Sequence, residues 1–432
     1  MNKITFIGAG SAVFAKNVLG DCMMTPALQD FELALFDIDL ERLKDSEAML
    51  NNLKKVTNST CSIKAYTDRK EALEGAKYVI NAIQVGGYEP CTVTDFEVPK
   101  KYGLRQTIGD TLGIGGIFRA LRTIPVMLDF AKDIQEVAPD ALFLNYTNPM
   151  SMLTKAMITL GGVKTVGLCH SVQVCASGLL KLLDMPTDNI QWNIAGINHM
   201  AWLLEIKRNG VDLYPEIKRR AVEKQLTKHR DMVRLEIMLR FGYYVTESSE
   251  HNAEYMPYWI KRNYPELIER FNIPLDEYPR RCVRLINNWA KMREDLLNNN
   301  DLNVKRSHEY ASRIMEAIET GVPYTIGGNV MNTGLITNLP TEACVEVPCL
   351  VDRNGVQPIY VGALPPQCAA LNMTNINVHI LTVEAARTLK KDYIYQAAML
   401  DPHTSSELSI DEIVALCDDL IAAHGSWLPK FT

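Results

Sequence analysis

The chain has 432 residues, 47% of them hydrophobic and 22% charged, and its 45 Lys+Arg against 51 Asp+Glu leave a formal net charge of -6. This is the composition of an ordinary soluble globular protein of two or three domains, large enough to bury a core without disulfides. It argues against nucleic acid as a partner, because phosphate binding needs a clustered positive surface and the longest basic run, Lys218-Arg219-Arg220, reads as a solvated helix face.

In chain order, Lys3 to Ile7 reads as a strand, and the segment GAGSAVF turns from it into a helix. Phe31 to Phe36 is a second strand ending at Asp37, and Leu40 to Val56 is an amphipathic helix. Ser62 to Tyr66, a short helix near Glu71 to Leu73 and the strand Tyr78 to Ile83 continue the alternation. A glycine-bearing loop interrupts it before a long helix around Phe118 to Ile134; strands Ala141 to Asn145 and Lys164 to Leu168 follow. Beyond about residue 190 come two strands, Trp192 to Ile197 and Trp202 to Lys207, and then helices rich in Arg, Glu and Tyr. Repeated β-α-β with short links predicts an α/β fold. A Rossmann-type doubly wound parallel sheet is expected over residues 1–190, followed by a mixed α+β catalytic domain over 191–432.

The N-terminus has no long apolar core or small-residue cleavage site, and apolar stretches such as Ala195 to Leu204 carry polar residues before reaching the roughly 20 positions that span a bilayer. A cytoplasmic protein without a membrane helix is expected. The ten cysteines are scattered without CxxC pairs and should be free thiols, most of them buried.

Gly8-Ala9-Gly10-Ser11 follows a strand and opens a helix, the context a dinucleotide fingerprint requires. Gly8 permits the tight turn, Gly10 lets backbone amides approach a pyrophosphate, and Val13 stands where a third glycine would govern helix packing. Asp37 ends the next strand, where its carboxylate can accept from an adenosine ribose and repel a 2′-phosphate, which favours NAD over NADP. Asp37 could instead cap the helix that starts near Leu40. Cys169 and His199, each at a predicted strand end, offer a thiolate and an imidazole suited to Mn, Fe, Co or Ni, although from these residues alone a core Cys and a satisfied His are the commoner reading.

Taken in order, ITFIGAGS, FDID, VINAIQVGGYEP, KYGLRQTIGDTLGIGGIFRALRTIP, NYTNPM, GLCHSV, GINHMAW, VEVPCLVDRNGV and AMLDPHTSSELSIDEI make nearly the whole chain resemble family-four glycoside hydrolases, the NAD- and metal-dependent glycosidases, and among them the melibiase (α-galactosidase) branch. The resemblance implies a nucleotide domain shared with the lactate/malate dehydrogenase-like superfamily, and a route of oxidation at sugar carbon 3, proton removal at carbon 2, elimination, water addition and return of the hydride. This differs from the usual two-carboxylate scheme of glycoside hydrolysis.

The resemblance places the metal ligands, for Mn2+ or another divalent ion such as Co2+, Ni2+ or Fe2+, on Cys169 and His199, and a sugar-binding Asn on Asn148, which could also cap the helix begun by Pro149. It points to a tyrosine base in the Phe241 to Val245 segment, Tyr244 ahead of Tyr243, supported by the carboxylate of Asp110. His170 stands where other branches carry an acidic residue or Asn, and is the candidate proton donor. Pro90-Cys91-Thr92 offers no cation where the phosphosugar branches place an arginine, so an unphosphorylated α-galactoside is the expected substrate. An α-glucoside or a galacturonide, a lactate- or malate-type dehydrogenase, and a redox-inactive NAD-binding regulator are the competing readings. The resemblance suggests a homodimer or homotetramer. His251 and Glu254 have spacing that could turn both towards the site or onto a solvated face, and Tyr255, Tyr258 and Trp259 could stack on a sugar or belong to core.

Overall fold

The computed structural model describes residues 2–298 and 305–432. Its six N-terminal strands are β1 (Lys3–Ile7), β2 (Glu32–Phe36), β3 (Ser62–Tyr66), β4 (Ala76–Asn81), β5 (Leu142–Asn145) and β6 (Thr165–Leu168). They pair in parallel in the order β3-β2-β1-β4-β5-β6, the doubly wound arrangement in which the chain reverses direction between β1 and β4. Helices cover both faces, so β1 and β4 are apolar almost throughout: Ile4, Phe6, Val79 and Ile80 are all fully buried.

The remaining strands are β7 (Ile190–Ile197), β8 (Met200–Arg208), β9 (Val211–Asp212), β10 (Tyr244–Val245), β11 (Tyr324–Met331), β12 (Cys344–Asp352) and β13 (Gly355–Pro358). They extend the same sheet rather than forming a separate one. β11 runs antiparallel to β6, and β12, β7, β8 and β10 follow outward, giving 13 strands among the described residues. The helix Pro366–Thr388 packs back on the helices Gly113–Val137 and Met150–Thr159 of the first half. Buried Arg122 grips Asp95 at 3.1 and 2.6 Å, and His424 of the helix Ile410–His424 meets the same carboxylate at 3.0 Å, fastening the C-terminal helix to the nucleotide half.

Two elements differ from what the sequence predicts. The long helix starts at Gly113, before the expected Phe118. Asp39, not Asp37, caps the helix Leu40–Thr57, accepting from the amides of Glu41 at 3.1 Å and Arg42 at 3.0 Å, which leaves Asp37 facing the glycine turn. Lys218-Arg219-Arg220 does lie on a helix, where Arg219 and Arg220 pair with Glu216. No helix among the described residues is long and apolar enough to cross a membrane.

Candidate active site

The C-terminal ends of β1, β4, β5 and β6 open on one side of the sheet, where α/β proteins bind ligands. At the tip of β1, Gly8 has φ +89, and a Cβ there would sit 2.6 Å from the carbonyl oxygen of Ala82. At Gly10 a Cβ would meet the Asp37 carboxylate at 2.8 Å, and the Gly10 amide donates to that carboxylate at 2.7 Å. Ser11 then starts the helix Ala12–Met23, whose first turn holds no acidic residue, and Val13 is exposed on it. Bare backbone, a free helix N-terminus and a carboxylate at the second strand's end fit the pyrophosphate and ribose of a dinucleotide.

Cys169 follows β6 and His199 sits in the turn joining β7 to β8. Together with Glu247, which lies two residues past β10, they bring a thiol, an imidazole nitrogen and a carboxylate oxygen within 4.8 Å of one another. His199 Nε2 is 3.5 Å from Glu247 Oε2. Both residues adopt left-handed backbone, φ +63 at His199 and φ +65 at Glu247, a conformation that non-glycine residues rarely hold outside constrained sites. Burial pushes the Cys169 thiol well up, and the nearby carboxylates of Glu346 and Glu247 add to it, so the thiol keeps its proton unless a cation displaces it. Burial also opposes the charge on Glu247, but His199, His251 and Arg234 outweigh it and hold this carboxyl at about 2. A soft thiol, an imidazole and an ionised carboxylate form a donor set that a first-row divalent ion fits.

Around this cluster the helix Ser249–Glu254 and the residue after it supply three more groups. Tyr255 is fully buried, and its hydroxyl lies 3.0 Å from His199 Nδ1. His199 Nε2 faces Glu247, so when that nitrogen serves an ion the ring proton lies on Nδ1 and donates to the tyrosine oxygen. Burial, then the charges of Asp110, Glu254 and Glu247, keep Tyr255 protonated well above the usual tyrosine range in the absence of a cation. His251 stands between the two acids, 3.4 Å from Glu247 and 3.8 Å from Asp110. Glu254 turns instead to the loop carrying Asp110, accepting from the amides of Thr107 and Gly109 at 2.8 Å each. Burial lifts its carboxyl to about 8 against those bonds. Of the helical pair, His251 reaches the site and Glu254 anchors the loop beside it.

Next to Cys169, His170 Nε2 is 2.6 Å from Glu309 Oε2, and this bond raises the imidazole above its ordinary range. Glu309 itself is held by Ser307, whose hydroxyl pairs with Asp21 at 2.5 Å. Asn148 makes no side-chain cap on the helix Met150–Thr159, which Pro149 precedes. Its Oδ1 is buried without a hydrogen-bond partner among the described residues.

Two family models match the chain: the family 4 glycosyl hydrolase model over residues 3–185 and the family 4 glycosyl hydrolase C-terminal domain over 194–404. An α-galactosidase of Bacillus subtilis (strain 168) is 66% identical over 431 residues, spanning 100% of both chains. The chain belongs to glycosyl hydrolase family 4. Among solved structures, the Bacillus subtilis protein lplD is 26% identical with a TM-score of 0.87, over 97% of this chain and 99% of that one. A 6-phospho-alpha-glucosidase from gut microorganisms, in complex with NAD and Mn2+, has a TM-score of 0.82 at 21% identity over 100% of both chains.

Within this family 4 chain, Tyr244 lies apart from the cluster that the other candidates build. It is fully buried in a core group with Tyr214, Leu235 and Met238, its hydroxyl donates to Asp231, and the Arg234 guanidinium stacks 4.6 Å from its ring centre. Burial drives it far above the usual range. Tyr243 packs edge-on to Tyr214 at 5.9 Å in the same region. These tyrosines hold β10 beside β8, which sets the position of Glu247. Glu247 and Glu309 carried no signal in the sequence: each reaches the site from an element far along the chain, with no motif spacing to Cys169 or His199.

Proposed function

We propose that the chain is an α-galactosidase that hydrolyses unphosphorylated α-galactosides of the melibiose or raffinose type, with NAD+ and Mn2+, or another divalent ion such as Co2+, Ni2+ or Fe2+, as cofactors. The observation that carries this reading is the full-length likeness to an α-galactosidase at 66% identity, and the donor cluster of Cys169, His199 and Glu247 supports it. Gly8, Gly10, Ser11 and Asp37 would hold the dinucleotide; Cys169 and His199, with Glu247 as a third donor, would hold the ion. When bound, these groups supply a hydride acceptor for carbon 3 and Lewis acidity at the hydroxyls of carbons 2 and 3.

The chain's own residues then divide the proton work. Asn148 orients the sugar, its buried Oδ1 accepting from a ring hydroxyl. Tyr255, in the role the sequence reading gave to Tyr244, removes the proton from carbon 2. The His199 Nδ1–H bond at 3.0 Å steadies the oxygen as it becomes charged, while Asp110 raises its basicity. His170, kept oriented and protonated by Glu309, delivers the proton to the departing glycosidic oxygen. Water addition runs these transfers in reverse.

The test is a panel of p-nitrophenyl α-galactoside, α-glucoside and α-galacturonide assayed with NAD+, Mn2+ and a thiol reductant, with each component omitted in turn. Galactoside cleavage that needs NAD+ and the ion supports the proposal. Preference for another sugar overturns the substrate, and steady NADH accumulation without hydrolysis overturns the reaction.

A further inference from the structure

Behind the donor cluster lies a buried polar chain that the proton chemistry does not use. Glu346, in the middle of β12, is fully buried and pairs in register with Asn329 of β11 and with Gly196 of β7. Its Oε1 accepts from Asn329 Nδ2 at 2.9 Å and from Asn198 Nδ2 at 3.4 Å. Asn329 Nδ2 also reaches the carbonyl of Gly167 at 3.3 Å. Gly167 is two residues before Cys169, and Asn198 immediately precedes His199. One continuous path of hydrogen bonds therefore joins the backbone leading into the thiol to Asn198, the residue just before the imidazole.

Three features make this more than ordinary sheet packing. A carboxyl in the centre of a sheet is costly unless it has a function or full pairing. Here the pairing is incomplete: Glu346 Oε2, Asn198 Oδ1 and Asn329 Oδ1 are all buried without hydrogen-bond partners among the described residues. Finally, the two strands it bridges, β6 and β7, are not neighbours. β11 and β12 lie between them, so no backbone ladder sets the distance between Cys169 and His199 directly. His199 also sits in left-handed backbone at φ +63, which persists only where its surroundings hold it.

Resting on the reading of Cys169 and His199 as metal ligands, we propose that Glu346, with Asn329 and Asn198, is a positioning unit that fixes the separation and orientation of these two ligands for the divalent ion. The carboxyl acts through its acceptor oxygen and shape. It does not act as a ligand or as a proton donor.

The test is the Mn2+ affinity of the full-length protein, read from the loss of the free-ion electron paramagnetic resonance signal, together with the thiolate-to-metal absorption band of the Co2+-loaded protein. Glu346→Ala should weaken Mn2+ about 10–100-fold, as outer-shell substitutions do, and shift or broaden the Co2+ band. Glu346→Gln, which keeps an oxygen for both asparagines, should restore the affinity to within about threefold of wild type, with the band unmoved. NAD+ affinity should hold in both. Asn198→Ala removes only the last bond of the path and should weaken Mn2+ in the same direction, which keeps the idea testable if Glu346→Ala does not fold. Unchanged affinity and band in Glu346→Ala or Asn198→Ala overturns the proposal, and so does a Glu346→Gln variant as weak as the alanine. Cys169→Ser separates the two readings: if it binds Mn2+ as tightly as wild type, the metal-site reading itself fails. If it loses the ion while the Glu346 and Asn198 variants do not, only the positioning role fails.

Discussion

Removing one oxygen with Tyr255→Phe keeps the buried ring and takes away two things. The first is the base itself. A positioned general base contributes about 100- to 10,000-fold, or roughly 2.7–5.4 kcal/mol of barrier. The second is the partner of His199 Nδ1 at 3.0 Å, since a buried donor left unpaired costs about 1–3 kcal/mol. That second cost falls on the ligand and registers as weaker Mn2+ binding, so saturating Mn2+ and NAD+ isolates the first. The assay follows kcat on an α-galactoside and the rate at which solvent deuterium enters carbon 2. Both should drop at least about 100-fold together. The matched control is Tyr244→Phe. Its hydroxyl donates to Asp231, which keeps Arg234 Nε at 2.6 Å and Ser249 Oγ at 2.8 Å. Losing that bond should cost about 1–3 kcal/mol of stability, visible in thermal unfolding, with exchange at carbon 2 retained. If Tyr244→Phe abolishes exchange while Tyr255→Phe leaves it intact, the assignment of the base from geometry is refuted.

Further outcomes follow from single contacts. Gly8→Ala places a Cβ 2.6 Å from the Ala82 carbonyl oxygen at φ +89, so fluorescence titration should show NAD+ affinity reduced at least about tenfold with Mn2+ affinity unchanged. Glu247→Gln removes the charge beside His199 at 3.5 Å and should weaken Mn2+ by about 10-fold or more; an unaltered titration would exclude it as a donor. Away from the site, burial lowers His379 to about 3 from a reference near 6.5. Its folded-state pKa is depressed, so the stability it contributes is complete above pH 6.5 and is lost as pH falls towards 3, by up to about 1.4 kcal/mol per unit. His379→Leu should therefore flatten the acid limb of a stability-versus-pH curve by thermal unfolding; parallel curves for the two proteins would contradict it.

The nucleotide half was legible because its signals are local. A strand, a glycine turn and a helix follow one another between Lys3 and Met23, and burial on both faces leaves β1 and β4 mostly apolar. Cys169 and His199 each follow a strand, but only the family resemblance singled them out as ligands. What completes their surroundings could not be read, because it arrives through sheet topology. Glu247 comes in from β10 pairing with β8, and Glu346 from β12, inserted between β11 and β7. Tyr244, expected as the base, and Tyr255, expected to stack on a sugar or belong to core, illustrate the limit. Tyr244 sits in a strand and Tyr255 among helical aromatics that resemble core, and both are in fact fully buried. Only the partners differ: Asp231 and Arg234 for one, His199 for the other. The Asp37 and Asp39 pair shows the same thing at short range, since two carboxylates two residues apart compete for one cap and only the chain's path decides.

The most direct test of the central claim is hydrolysis of p-nitrophenyl α-galactoside in deuterium oxide with NAD+, Mn2+ and a thiol reductant, followed by analysis of the released galactose. Deuterium at carbon 2, complete dependence on NAD+ and the ion, and no net NADH are expected. Galactose released without deuterium at carbon 2, or at full rate without NAD+, would contradict it.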